Sequence, residues 1–281
     1  MNMTWFVSAL FFSFLVTGAS VNIRGQEGPK SQDVSITYEL PEQKVSLHEP
    51  IILVFKVKNG TEDAIHLDLG EDRKGGFQFG LTTPDGRKIS LALPMREGPS
   101  RVGSFDIRTG ESYSEKLVIN EWYNIKAPGR YELEGHLIQP IVGVHSALSK
   151  KDGGFRAVLE ITPRDELALT KACDTLSNQI DASNSYQDAA DAAFALTYAE
   201  DPACVPFLRR ALFSQKLVEP LAINGLEKIA NEAAIRVLIE ALRMKTADYA
   251  ALARASLVRI QSETAGTALK EEINQALKDG A

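Results

Sequence analysis

Two periods of apolar residues divide this chain. From Val34 to Thr162 the period is two. Leu53, Phe55 and Val57 alternate with Val54, Lys56 and Lys58, and Ile65, Leu67 and Leu69 alternate with His66 and Asp68. Phe77, Phe79 and Leu81, then Tyr131, Leu133 and Leu137, then Phe155, Ala157, Leu159 and Ile161 repeat the pattern. Alternation of this kind predicts strands with one buried and one wetted face, hence antiparallel sheets. Turn signals at Asn59-Gly60 and Pro84-Asp85-Gly86 separate them. At Pro163-Arg164 the period changes to 3.6, and helices are expected from there to the end.

The helical half repeats itself. Ala192–Leu212 aligns without a gap on Ala222–Leu242, thirty positions later, and Ala253–Ile273 follows one further residue along. Leu196, Leu226 and Leu257 are equivalent, as are Leu208, Leu238 and Leu269. Asp201, Asn231 and Ser262 share one repeat position, and each is a good helix N-cap. A period near thirty predicts stacked helical hairpins over about 186–215, 216–245 and 246–277. A preceding helix at 164–181 reads as an N-terminal cap, and Gly266 marks a degenerate last copy.

On these residues the stretch from Tyr186 to Leu277 resembles the HEAT-like repeats first described in phycobilisome lyases. The resemblance implies an α-solenoid whose second helices line a concave surface, without implying lyase activity. A second resemblance lies upstream. Glu49–Gly60 and Trp122…Pro128-Gly129-Arg130-Tyr131 look like segments of bacterial immunoglobulin-like domains, with Tyr131 in the place of a tyrosine corner. The expected fold is therefore two-domain, all-β plus all-α: an immunoglobulin-like β-sandwich over 33–163, then a short α-solenoid over 164–281.

Residues 1–20 carry no charged side chain, and the apolar run Trp5–Val16 precedes Thr17-Gly18-Ala19-Ser20. That pattern predicts a secretory signal peptide, followed by a polar linker over 21–32, with an uncleaved N-terminal anchor as the rival. The expected location is periplasmic or secreted, with no membrane span after cleavage. The formal charge is −6, and both halves carry a small acidic excess, which argues against nucleic acid as a partner.

Candidate chemistry is sparse. Cys173 and Cys204 invite a disulfide in an oxidising compartment; two buried thiols, or a nucleophile at Cys204 near a helix N-terminus, are the other readings. The four histidines show no metal-ligand spacing, and no nucleophile elbow, zinc-protease motif or phosphate loop occurs. No catalytic residue, metal or cofactor is assigned. Asn59-Gly60-Thr61 is a formal glycosylation sequon, which a hairpin turn also explains. Two places remain for binding a protein partner: the second-helix cations Arg209, Arg210, Arg236, Arg243 and Lys270, and the loop Ser146–Gly154. The expected function is a non-enzymatic binding or scaffold module, or else an accessory or inhibitory subunit of an exported hydrolase.

Overall fold

The alternating segments become strands, but they distribute over three sheets. The computed structural model describes residues 33–70, 73–89, 103–244, 246–263 and 267–279. The signal segment expected over 1–20, the linker over 21–32 and Gly266 lie outside these residues. Strands β1 (Val34–Glu39), β3 (Ile52–Asn59) and β8 (Ser112–Val118) form one antiparallel sheet. A second has the order β11 (Ser149–Lys150), β10 (Ile141–Gly143), β4 (Ile65–Asp68), β7 (Ser104–Ile107). The third has five strands in the order β2 (Lys44–Ser46), β12 (Phe155–Thr162), β9 (Gly129–Leu137), β5 (Phe77–Thr82), β6 (Lys88–Ile89). A helical turn, α1 (Arg73–Gly76), leads directly into β5.

The expected immunoglobulin-like sandwich is therefore incorrect. The N-terminal part is a three-sheet assembly with a helical turn, and the chain as a whole mixes sheets with helices. The reason is visible at Asn59, expected in a hairpin turn. The chain does not fold back there but crosses to another sheet, since β4 pairs with β7 and β10 rather than with β3. Asn59 is fully buried and holds the crossing. Its amide nitrogen donates to the carbonyls of Asp63 (2.8 Å) and Ile107 (2.9 Å), and its oxygen accepts from the Thr61 N–H and hydroxyl. A side chain so enclosed has no free amide for a sugar in the folded chain.

One apolar core joins the three sheets. Tyr38 stacks on Phe155 with ring centroids 4.6 Å apart, Phe55 meets Phe77 edge-on at 4.9 Å, and Phe79 meets Trp122 at 4.8 Å. The strand rings Tyr38, Phe55, Phe77, Phe79 and Phe155 sit at the buried positions of the two-residue period, so burial follows the alternation along each strand, while Trp122 comes from the end of the short helical turn Ile119–Glu121.

From Glu166 onward the chain is helical, as the 3.6 period requires. α2 (Glu166–Ala182) precedes α3 (Tyr186–Thr197), α4 (Val205–Leu212), α5 (Glu219–Ile229), α6 (Glu232–Ala241), α7 (Ala247–Glu263) and α8 (Thr267–Asp279). The helices stack in two rows. In one, α3 packs on α5 and α5 on α7; in the other, α2 packs on α4, α4 on α6 and α6 on α8. Close approach is bought by Gly225 of α5, where a Cβ would stand 2.7 Å from Leu208 and 3.3 Å from the Thr197 Cα. The apolar seam runs from Cys173 to Ile273 and also takes in Val118 of β8 and Ile52 of β3. The sheets thus cover the otherwise open end of the first row, against α3.

Candidate functional site

The second-helix cations do not form an open basic ridge. Arg209 makes a bidentate pair with Glu240 of α6 at 2.9 and 2.8 Å, which raises its pKa. Arg210 reaches back to Asp174 (3.8 Å) and Asp181 of α2. Arg236 of α6 pairs with Glu232 at 2.5 Å and extends to Glu272 of α8 at 3.8 Å. Each pair ties one helix of the row to itself or to the next. Arg243 is exposed beyond the end of α6, and Lys270 is half-buried on α8. On the other row, Arg259 of α7 pairs with Glu227 of α5 at 2.5 and 2.7 Å, and holds that carboxyl below its ordinary pKa. Exposed pairs of this sort contribute about 0–1 kcal/mol each, so their main effect is on register and local charge.

The expected caps divide. Asp201 accepts from the Ala203 N–H at 2.9 Å and Asn231 from the Ala234 N–H at 2.8 Å, each starting the second helical segment of its hairpin. Ser262 is not a cap. It lies inside α7, which runs on to Glu263, and its hydroxyl donates back to the Arg259 carbonyl at 2.6 Å. Asp201 has a second task. Arg164, just after β12, grips it through Nε at 2.6 Å and Nη2 at 2.9 Å, and this holds the buried carboxyl below its usual pKa. Cys173 of α2 and Cys204 are joined in a buried disulfide with Cα atoms 5.8 Å apart, so Cys204 offers no free thiol. The Tyr131 hydroxyl donates to the Ala127 carbonyl, four residues upstream, at 2.8 Å.

The loop Ser146–Gly154 is anchored rather than loose. Asp152 accepts from the Leu137 N–H (2.7 Å), the Gly154 N–H (3.0 Å) and the Tyr38 hydroxyl, whose pKa burial and this carboxylate push up. Its last residues form one wall of an open cleft of about 890 Å³ on the five-stranded sheet. Gln78, Gly80 and Glu134 line it along the wetted positions of β5 and β9, with Lys88, His136 and Arg156 around them. Glu134 receives Arg156 at 2.9 Å and Lys88 at 3.4 Å, and the two cations hold its pKa down. Gly80 keeps the floor low: a Cβ there would meet the Glu134 side chain at 3.0 Å. Tyr123 also lines it, its hydroxyl donating to the Phe79 carbonyl at 2.8 Å and burial raising its pKa to about 12. Sequence reasoning placed single residues of this cleft on a wetted strand face but did not gather them. The available signal was Gly80 and Gly135 facing neighbouring strands at outward and inward positions.

Among the described residues no group of three His, Cys, Asp or Glu side chains is placed to hold a metal ion. Among them, too, no helix is long and apolar enough to cross a membrane.

No family model matches the chain, and no curated protein matches it. Among solved structures, a β-glucosidase from Listeria innocua with bound glucose is similar at 13% identity and a TM-score of 0.25, covering 47% of this chain and 16% of that one. The same enzyme with isofagomine gives 13% identity and a TM-score of 0.24, over 46% and 16% of the two chains. Astrotactin-2, a vertebrate protein, gives 10% identity and a TM-score of 0.18 over 78% of this chain and 38% of that one. The matched region thus spans about a sixth of the glucosidase, and at these TM-scores the likenesses bear on neither fold nor function.

Proposed function

We propose that the chain is an exported, non-enzymatic binding or scaffold protein that recognises a protein or cell-surface partner, with a helical half of HEAT-like hairpins serving as its rigid mount. The observation that supports this reading is the cleft on the five-stranded sheet. It is open, polar on its wetted side, and lined by donors and acceptors already fixed by Asp152 and by the Lys88–Glu134–Arg156 group. Such a site suits an extended polar segment, because the segment meets oriented partners without reorganising them. Glu134 is held ionised between two cations, a poor state for a proton donor.

The test is a block of the cleft. Gly80→Arg extends a side chain over the floor, where only the flexible Glu134 side chain has to move. Surface proteins and surface polysaccharide from the host are offered to the immobilised full chain. Saturable capture of one component by the wild type, lost in Gly80→Arg at unchanged melting temperature, is the expected result. Capture indifferent to the block, or turnover of the captured component, would overturn the reading.

A further inference from the structure

The row formed by α3, α5 and α7 ends on an apolar face. One repeat position shows which side of each helix meets the next. Thr197 of α3 donates its hydroxyl to the Leu221 carbonyl of α5 at 3.0 Å. Glu227 of α5, thirty positions later, accepts from the Ser256 hydroxyl of α7 at 2.5 Å and from Arg259. Val258 of α7 is the next equivalent, so it faces the place where a fourth member of the row would stand. Among the described residues no helix packs there. Val258 is 51% exposed, and Leu252 is 41% exposed although its counterpart in α5, Leu221, is only 4% exposed. Half-buried Ala255 lies between them, one turn from each, with exposed Ala251 beside it. The outward faces of α4 and α6 carry paired arginines instead. The α7 face is also preformed: Arg254 Nη1 donates to the Leu277 carbonyl of α8 at 2.9 Å, and the Gln261 amide donates to Asn274 at 2.6 Å.

Two features say what covers this face. At its other end the row is closed by the sheets, since α3 meets β8, and Val118 and Ile52 enter the helical seam. A copy of the chain therefore has no place to add head to tail. Only like ends can meet, which gives a closed two-fold pair and not a filament. The face is also complementary to itself. A dyad through Ala255 lays α7 antiparallel on its copy, with Leu252 against Val258 on both sides, and the small Ala255 lets the two axes approach. Asp248, in the first turn of α7, then stands within a turn of the copy's Arg259. A parallel pair would set like charge on like at both positions.

We propose that this face of α7 docks a second copy of the chain, giving a two-fold dimer joined α7 to α7. The dimer goes beyond the cleft reading and does not rest on it. One particle then presents two clefts, so a repetitive partner surface is held at two points.

Sedimentation of the full chain over a range of concentrations is the test. The wild type forms a reversible dimer with a Kd of about 10 μM or tighter. Val258→Glu and Leu252→Lys each put a charge into two symmetric contacts and weaken dimerisation by about 100-fold, tenfold for each contact. Both positions are exposed in the single chain, so the circular dichroism spectrum stays that of the wild type. Mixed in equal amounts, the two variants recover a dimer, because one contact restores leucine on valine and the other pairs lysine with glutamate. In Ala255→Cys the new thiol has only its copy's to meet, since Cys173 and Cys204 are already joined, and the oxidant diamide links the chains in pairs. Gly80→Arg leaves dimerisation unchanged, so failure here and failure of the cleft reading are told apart. A wild type still monomeric at about 100 μM, a dimer indifferent to both charged variants, or a mixture that stays monomeric would overturn the proposal. So would a monomer whose α7 face binds a foreign helix in place of its copy.

Discussion

Asp201 does three things with two oxygens: it caps the segment that opens α4, receives the Arg164 fork, and fills a buried corner beside the disulfide. Its pKa is depressed in the folded chain, as is that of Glu227 under Arg259. A depressed folded pKa stabilises in full above the unfolded value, near 4, and the gain is lost as pH falls through the folded value. Urea midpoints should therefore hold from neutrality down to about pH 4 and fall below it. Asp201→Asn keeps the cap but not the charge, so it should lower stability by about 1–2 kcal/mol at neutral pH, discounted for the solvent around Arg164, and flatten the acid slope. A variant whose acid slope matches the wild type would show that the pair does not carry this dependence. At this scale the sequence was partly readable. Asp201 and Asn231 stood before a helix period, and short polar side chains there have one obvious use. Ser262 stood at the same repeat position, yet α7 runs through it, because nothing in that stretch stops the helix where the other copies stop.

Among the elements, the disulfide decides how the first hairpin is held. It closes 31 residues between α2 and the turn before α4, with α3 inside the loop. On the loop-closure account such a link stabilises by about 3–4 kcal/mol. The Cys173→Ser/Cys204→Ser double variant, with both sulfurs gone, should lose about that much in chemical denaturation while retaining its helical circular dichroism; an unchanged midpoint would show that packing alone holds α2 in place. Strand positions were legible because alternation reports which side of a strand is buried. Sheet membership was not, because alternation is blind to the neighbour across the hydrogen bonds. β2 pairs in parallel with β12, and β4 leaves β3 for another sheet, through contacts far apart in the chain. The helical character of the C-terminal part was legible from its 3.6 period, whereas the Arg209–Glu240 and Arg236–Glu272 ties were readable only as a mixed-sign face.

Across the whole molecule, the sheets and the helical rows are not beads on a string. Val118 and Ile52 enter the helical seam, the Asp165 N–H donates to the Ser46 hydroxyl at 2.8 Å, and Arg164 reaches Asp201. Loss of the sheets would uncover the end of the first row. Unfolding in urea should then give coincident curves by helical circular dichroism and by emission of Trp122, which is buried in the sheet core. Well-separated midpoints would show that the junction is only a contact.

β12 carries this junction, and its position has a mechanical consequence. It is an inner strand, laced to β9 on one side and β2 on the other, and it passes within three residues into the cap of α2. A pull on the C-terminal helices is therefore transmitted lengthwise into two hydrogen-bonded seams that must slide together, not unzip rung by rung. If the chain links two surfaces that move apart, the force is borne by the middle of a sheet, where backbone resists best.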